Sequence, residues 1–171
     1  AITAFVDDLS NWYVRRGRER FWGKGMDDTK EAAFVTLYTV LTTLTKVIAP
    51  FVPFMAEELY QNLVRSVYPD APESVHLTRF PTADETLIDE SLNTQMDALL
   101  SVVSLGRACR NTAALKVRQP LKALYVKGTK LTDAFVELAA DELNVKDVVF
   151  TDDARAFTTY TLKPQMRTLG P

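Results

Sequence analysis

Apolar residues recur at helical spacing through most of the first 114 residues, and this periodicity most constrains the fold. In residues 1–22, 29–48, 53–66 and 89–114 they return every three or four positions, as on one face of an α-helix. Glycines and prolines fall between these segments, where they end helices. The pattern predicts four helices, with an irregular crossover at 67–88.

The pattern changes after Pro120. Residues 121–126, 145–151 and 157–162 are short and rich in strand-forming side chains, so they predict three strands. Residues 132–143, which separate the first two, have helical spacing instead. The order of elements in this part of the chain is therefore β-α-β-β.

These elements predict a mainly α fold in two domains. Residues 1–119 form a helical bundle, and residues 120–171 form a small C-terminal α+β subdomain. The chain opens at Ala1 inside a helical pattern and without an initiator Met, and it stops at Pro171 with no closing element. We therefore expect an excised fragment that is truncated at the C-terminal end of the small subdomain.

Positive charge is concentrated in two segments. The formal net charge is −2, yet residues 15–25 hold five Lys or Arg against one Glu, and residues 104–123 hold five Lys or Arg with no acid. The rest of the chain is acidic, so attraction to an anion would be local rather than spread over the surface. Trp12 lies just before the first segment and Trp22 lies within it. Aromatic rings beside positive charge favour an anionic partner that also stacks, such as nucleic acid.

One outward face of the first predicted helix combines amide, basic and aromatic side chains: Asn11, Arg15, Arg18 and Trp22. Arginine presents a planar fork to phosphate, tryptophan stacks on an unpaired base, and asparagine reads a base edge. RNA with splayed loop bases suits this combination. An alternative for Trp22 is packing beneath the following turn as a core anchor.

Other arginines continue the apolar faces of two helices near their C-terminal ends: Arg16, Arg20, Arg107 and Arg110. Such crowded charge needs acids or a polyanion, because a buried unpaired charge is costly. Two interpretations stay open, an RNA-facing bundle end and an internal network of ion pairs with Glu57, Glu58 or Asp97. Lys24 and the linker Lys116-Val117-Arg118-Gln119-Pro120 complete the basic candidates.

The sequence predicts no catalytic residue and no metal ligand in this chain. Its single histidine, His76, lies in a loop without a nucleophile or carboxylate at a recognisable spacing. Cys109 is the single cysteine, so no intrachain disulfide forms, which fits a reducing, cytoplasmic setting. No run reaches the roughly 18 apolar residues of a membrane span. We expect neither a membrane nor DNA as a partner.

With these residues, the chain resembles the anticodon-binding region of bacterial isoleucyl-tRNA synthetases over essentially its whole length. Four groups of residues carry the resemblance: Asp8–Arg16 with Arg20–Trp22, Ala49–Tyr60, Ser74–Leu77 with Phe80–Pro81, and Lys116–Leu121. Valyl- and leucyl-tRNA synthetases share the proline-flanked helix in looser form. The valyl equivalent remains an alternative, as does a non-catalytic protein-interaction module with internally paired arginines.

The resemblance implies a piece of an ATP-dependent ligase that joins isoleucine to its tRNA. This piece would hold the anticodon stem-loop of tRNA(Ile). The family's H-I-G-H and K-M-S-K-S motifs do not occur in this sequence, so ATP and Mg²⁺ would belong to a catalytic domain of the same polypeptide, the second expected partner. The family's signature positions fall here on these residues: Asn11, Trp12, Arg15, Arg16, Trp22, Lys116, Arg118 and Gln119.

Overall fold

The structure, a computed structural model, describes residues 1–128 and 130–153. The chain divides into two compact units on either side of the Asp84–Glu85 bond. This division falls earlier than the predicted boundary after residue 119, because the helix before that boundary packs on the helix of the small subdomain. The predicted domain limits stay a prediction.

The first predicted helix, 1–22, is interrupted in the structure. It consists of α1 (Ile2–Asp8), a π-helical segment (Leu9–Val14) and, after a turn at Gly17, α2 (Arg18–Trp22). A π-helical turn takes up more residues than an α-helical turn. Side chains beyond it therefore rotate away from the positions that a continuous α-helix would give them. The prediction of one continuous α-helix was wrong in its middle.

Helix α3 (Asp28–Ile48) begins one residue before the predicted start at 29. Its N-cap is Asp27, whose carboxylate accepts a hydrogen bond from the backbone N–H of Lys30 at 2.8 Å. The hydroxyl of Thr29 donates to the same carboxylate oxygen at 2.7 Å. Aspartate at this position satisfies backbone donors that the first helical turn leaves without partners.

Helix α4 (Pro53–Tyr60) packs on α3 and continues as a π-helical segment, Gln61–Arg65. A buried cluster beside them contains four residues: Ala49, Ala56, Tyr60 and Val75. The hydroxyl of Tyr60, a residue only 1% exposed, donates to the carbonyl of Pro72 at 3.0 Å. The predicted helix 53–66 is therefore confirmed in its extent. Its buried face binds the crossover through the hydrogen bond from Tyr60 to Pro72.

The crossover after α4 is irregular, as predicted, and a carboxylate fixes its path. Glu57 accepts hydrogen bonds from the Ser74 hydroxyl at 2.7 Å, the Gln61 side-chain amide at 2.7 Å and the Val75 N–H at 3.1 Å. The Ser74 bond first, and then the Gln61 bond, lower the pKa of Glu57 below its ordinary 4.5. A short 3₁₀ turn, Val75–Leu77, begins where the carboxylate holds the backbone.

The second unit joins a long helix, α5 (Glu90–Thr112), to a β-α-β arrangement. Strands β1 (Leu121–Val126) and β2 (Val145–Phe150) are parallel, and α6 (Asp133–Leu143) connects them. Helix α6 packs on α5. A 3₁₀ turn of three residues precedes α5. The mainly α fold with a small α+β part is confirmed, while the predicted strand at 157–162 lies outside the described residues.

Helices α5 and α6 approach each other closely at Gly106. A β-carbon there would lie 2.5 Å from Cδ1 and 2.9 Å from Cδ2 of Leu143. Leu143 is only 1% exposed and borders a cavity of about 190 Å³, so its side chain would have to leave its packed position and shift toward this cavity to admit a β-carbon. Glycine at this position therefore sets the distance between the two helices.

We expect Gly106→Ala to destabilise the protein. Overpacking against Leu143 costs about 1–3 kcal/mol, which outweighs the roughly 1 kcal/mol by which alanine is favoured over glycine in a helix. The net loss should be about 1 kcal/mol in the free energy of unfolding, measured by urea denaturation. Ser104→Ala, at an exposed position of the same helix, is the matched control and should be neutral or stabilising. A higher urea midpoint for Gly106→Ala would contradict the close approach.

The stability that Glu57 contributes should depend on pH. Because folding lowers the pKa of Glu57, this contribution is present above its ordinary value near 4.5. It is lost as the pH falls through the lower folded-state value. Glu57→Gln should therefore reduce the urea midpoint at pH 7, and the difference from the native protein should shrink well below pH 4.5. Glu58→Gln, at an exposed neighbouring position, is the control. A pH-independent difference would show that the Glu57 charge is not responsible.

Candidate nucleic-acid interface

The four residues predicted on one outward face of the first helix are all exposed in the structure: Asn11, Arg15, Arg18 and Trp22. The π-helical segment and the turn at Gly17 interrupt the helix among them, so they share a segment of the chain rather than one face of a continuous helix. The Nε of Arg15 donates to the Asn11 carbonyl at 2.8 Å, which orients this guanidinium along the helix. Trp22 is 70% exposed. An exposed indole and guanidinium groups on one helical segment offer a stacking surface together with phosphate-binding groups.

Phe21, rather than Trp22, anchors this segment in the core. Phe21 is 8% exposed, and its ring meets Phe34 edge-on with centroids 5.2 Å apart and Tyr13 with centroids 6.0 Å apart. It also covers Gly17, where a β-carbon would lie 2.7 Å from the ring. The alternative that Trp22 is the core anchor is therefore wrong, because the preceding residue takes that position.

The two arginines expected on the packed side of this segment differ in exposure. Arg16 is half-buried, as is Trp12, whereas Arg20 is exposed. The structure corrects the expected placement of Arg20. The π-helical segment and the turn at Gly17 change the angular positions of all residues after them, so an uninterrupted helical wheel misplaces this residue.

Lys24 lies in a turn that a second lysine closes. The ammonium group of Lys30 donates to the carbonyl of Gly23 at 2.6 Å and to that of Gly25 at 3.1 Å. Gly25 has a positive φ of 80°, which favours glycine. Lys24 itself is exposed between these two glycines. Its charge is therefore carried on a turn of defined shape.

Arg107 of the second unit pairs with an acid that sequence spacing did not indicate. Its Nη2 lies 2.6 Å from Oε2 of Glu142, with the two side chains 47% and 4% exposed. The expected acid partners of the arginines were Glu57, Glu58 and Asp97. Glu142 lies 35 residues further along the chain, on α6. Arg107 therefore compensates a buried carboxylate as well as facing solvent.

Arg110 lies inside the second unit and is only 4% exposed. Its Nη1 donates to the carbonyls of Lys116 and Gln119, each at 3.0 Å, and its Nη2 donates to those of Leu143 at 2.6 Å and Asn144 at 3.1 Å. The last two carbonyls stand at the C-terminal end of α6, where a positive charge is favourable. The structure corrects the prediction of Arg110 as an RNA contact, because its charge is directed into the protein.

The linker between α5 and β1 has the opposite arrangement, with side chains outward and backbone inward. Its polar side chains are all exposed: Lys116, Arg118 and Gln119. The Val117 carbonyl accepts a hydrogen bond from the side-chain amide of Asn144 at 3.0 Å. The linker is therefore bound to the protein through its backbone, and its basic groups remain in solvent.

Comparisons with known proteins agree with this geometry. A family described as the anticodon-binding domain of tRNA ligase matches residues 1–125. This chain belongs to that family. It is 50% identical over 169 residues to an isoleucine–tRNA ligase of Clostridium acetobutylicum and 48% identical over 173 residues to one of Chlamydia pneumoniae. It is 45% identical over 174 residues to isoleucine–tRNA ligase 2 of Bacillus cereus. Each alignment covers 99% of this chain and 16% of the relative.

Family membership confirms the resemblance inferred from the sequence. The relatives are isoleucine–tRNA ligases from several bacteria, which favours this assignment over a valyl-tRNA synthetase domain or a protein-interaction module. The chain spans about one sixth of the length of these relatives.

The structure brings together three basic residues of the first unit that the sequence pattern did not associate. Lys46, His76 and Arg79 line a cavity of about 160 Å³, together with Pro50 and Phe80. Lys46 comes from the last turn of α3, while the other two come from the crossover. No spacing in the sequence joins these positions, because the crossover has no helical or strand periodicity. The formal charges of Lys46 and Arg79 were the one available signal.

Neither a metal site nor a membrane segment is assigned in the part of the chain that the structure describes. Within residues 1–128 and 130–153, no three His, Cys, Asp or Glu side chains are grouped as metal ligands would be. Cys109 is exposed and free. Helix α3 is long and apolar enough to cross a membrane by length and composition, although it contains no uninterrupted run of 18 apolar residues. Those two properties do not assign a membrane, because core helices of soluble proteins share them.

Phe21 and Trp22 should respond differently to truncation. Phe21→Ala removes a buried ring and should reduce the free energy of unfolding by about 3 kcal/mol. Trp22→Ala removes an exposed ring with one edge-on contact, to Phe21 at 6.2 Å, and should cost about 1 kcal/mol or less. Urea denaturation of both variants measures the difference. Equal losses would mean that Trp22 has a structural role comparable to that of Phe21.

Proposed function

We propose that this chain is the part of an isoleucine–tRNA ligase that binds the anticodon stem-loop of tRNA(Ile). The observation that carries the proposal is the exposure of four residues along the first helical segment: Asn11, Arg15, Arg18 and Trp22. The names of the relatives supply the substrate, since each relative is an isoleucine–tRNA ligase. Anticodon loops expose unpaired bases beside closely spaced phosphates, which this set of side chains suits.

The proposed roles follow from the chemistry of each side chain. The guanidinium groups of Arg15 and Arg18 bind phosphate oxygens, and their planar forks favour bidentate contacts. The indole of Trp22 stacks on a splayed base, a contact worth about 1–3 kcal/mol. Asn11 offers its amide to a base edge. Lys24 adds a further positive charge from the turn after α2.

The whole ligase would supply the remaining parts of the reaction. ATP and Mg²⁺ would act in its catalytic region, and none of this chain's residues is assigned to them. A cavity of about 400 Å³ between α1 and α3 is lined by apolar side chains such as Ile2, Phe5 and Leu44. Exposed apolar surface of this kind suits contact with another part of the protein, and we propose that the catalytic region of the same polypeptide covers it. We propose the cytoplasm, where translation takes place, as the location, with no role for a membrane or DNA.

Two substitutions among these exposed residues should weaken binding of a tRNA(Ile) transcript. We expect Arg18→Ala to raise the Kd about fivefold and to reduce the slope of log Kd against log salt by about 0.7–0.9. Trp22→Ala should raise the Kd by about tenfold through loss of stacking. Titration of the protein with labelled transcript at several salt concentrations measures both effects. Lys146→Ala, which removes an exposed charge on β2, is the control and should change the Kd little.

A transcript with an exchanged anticodon tests recognition rather than general attraction. It should bind more weakly than tRNA(Ile) at every salt concentration. Equal binding of the two transcripts would reject anticodon reading by this chain. Unchanged affinity in both Arg18→Ala and Trp22→Ala would instead show that RNA binds another surface.

A further inference from the structure

We propose that Arg110 and Asn144 are positioning residues that hold the linker Lys116–Gln119 as a preformed loop and present Lys116 and Arg118 to the RNA. The inference rests on the proposed function. In this proposal Arg110 and Asn144 do not themselves touch the RNA. They give the linker, which belongs to the basic segment 104–123, a defined shape before binding.

The loop is a β-turn in which the Lys116 carbonyl accepts two hydrogen bonds. The Gln119 N–H donates to the Lys116 carbonyl at 3.0 Å, which closes a four-residue β-turn. The same carbonyl accepts from Nη1 of Arg110, as does the Gln119 carbonyl, each at 3.0 Å. The guanidinium therefore holds both ends of the turn from the inside.

The middle of the turn and its two flanks are held by the same pair of residues. The Asn144 side chain donates to the Val117 carbonyl at 3.0 Å. Before the turn, the Leu115 N–H donates to the Arg110 carbonyl at 2.8 Å, and after it the Leu121 N–H donates to the Asn144 carbonyl at 3.1 Å. Arg110 and Asn144 thus bind the segment through their backbones at its flanks and through their side chains at its centre.

The chemistry of each position fits this task. Arg110 bridges two pairs of carbonyls with a planar fork, which the single ammonium group of lysine does not match. Asn144 has a left-handed backbone conformation, with φ 49° and ψ 55°, at the C-terminal end of α6. Asparagine tolerates this conformation and also brings an amide donor, whereas glycine would supply the conformation alone.

Holding the backbone inward leaves the charges outward. Lys116, Arg118 and Gln119 are exposed, and the turn contains no acid. A flexible loop would lose about 1–2 kcal/mol per residue when it became ordered on RNA. A loop that is already shaped avoids much of this loss, so its cations contribute more of their attraction to binding.

Cleavage by trypsin after Lys116 and Arg118 tests the hold on the loop without any RNA. Asn144→Gly keeps the left-handed backbone accessible and removes the amide, so this variant should be cut at these two sites about tenfold faster than the native protein, as the loss of one hydrogen bond implies. Asn93→Ala, at an exposed position of α5, is the control. Unchanged cleavage in Asn144→Gly would overturn the inference. Arg110→Lys should act in the same direction, but Asn144→Gly decides because Arg110 also holds the core.

Binding of the tRNA(Ile) transcript tests what the held loop does. Asn144→Gly should raise the Kd about fivefold in the native background. It should have no further effect when Lys116→Ala and Arg118→Ala are already present, and its full effect should persist beside Arg18→Ala. An equal effect in all backgrounds, or none in the native background, would overturn the presenting role. Absence of binding by the native protein would overturn the proposed function itself, which separates the two failures.

Discussion

The buried guanidinium of Arg110 is the interaction on which the second unit most depends. Burying a charge is costly unless hydrogen bonds compensate for the lost water. Here four carbonyls do so, from Lys116, Gln119, Leu143 and Asn144. Because two belong to the end of α6 and two to the linker before β1, one side chain joins the long helix, the connecting turn and the start of the second strand.

The first unit uses the same physical device with the opposite sign. The Glu57 carboxylate collects donors from Ser74, Val75 and Gln61, and it thereby fixes a crossover that has no regular structure of its own. In both units a charged side chain on a helix forms hydrogen bonds with backbone or side-chain groups of an irregular segment. Helices pack through apolar faces, whereas these connecting segments, where binding residues concentrate, depend on charge-assisted hydrogen bonds.

The sequence predicted the helices and strands well wherever periodicity sustained them. The long apolar repeats of α3 and α5 and the short α6 between two strand patterns all appear near their expected limits. The π-helical segment at Leu9–Val14 leaves no mark in the pattern of apolar residues, so Arg20 was misplaced. Arg110 was misinterpreted because its partners are carbonyls, which every residue carries and no motif reveals.

The arginines predicted from the sequence as RNA contacts therefore need not share one task. Arg18 and Arg118 are exposed, Arg107 compensates a buried acid, and Arg110 shapes a loop. An arginine suits all three tasks because its charge persists at any physiological pH and its five donors lie in one plane. A surface arginine contributes its own contact with a ligand, while a buried one controls the position of several contacts at once. A buried arginine can thus affect the proposed RNA binding through the exposed residues whose backbone it holds.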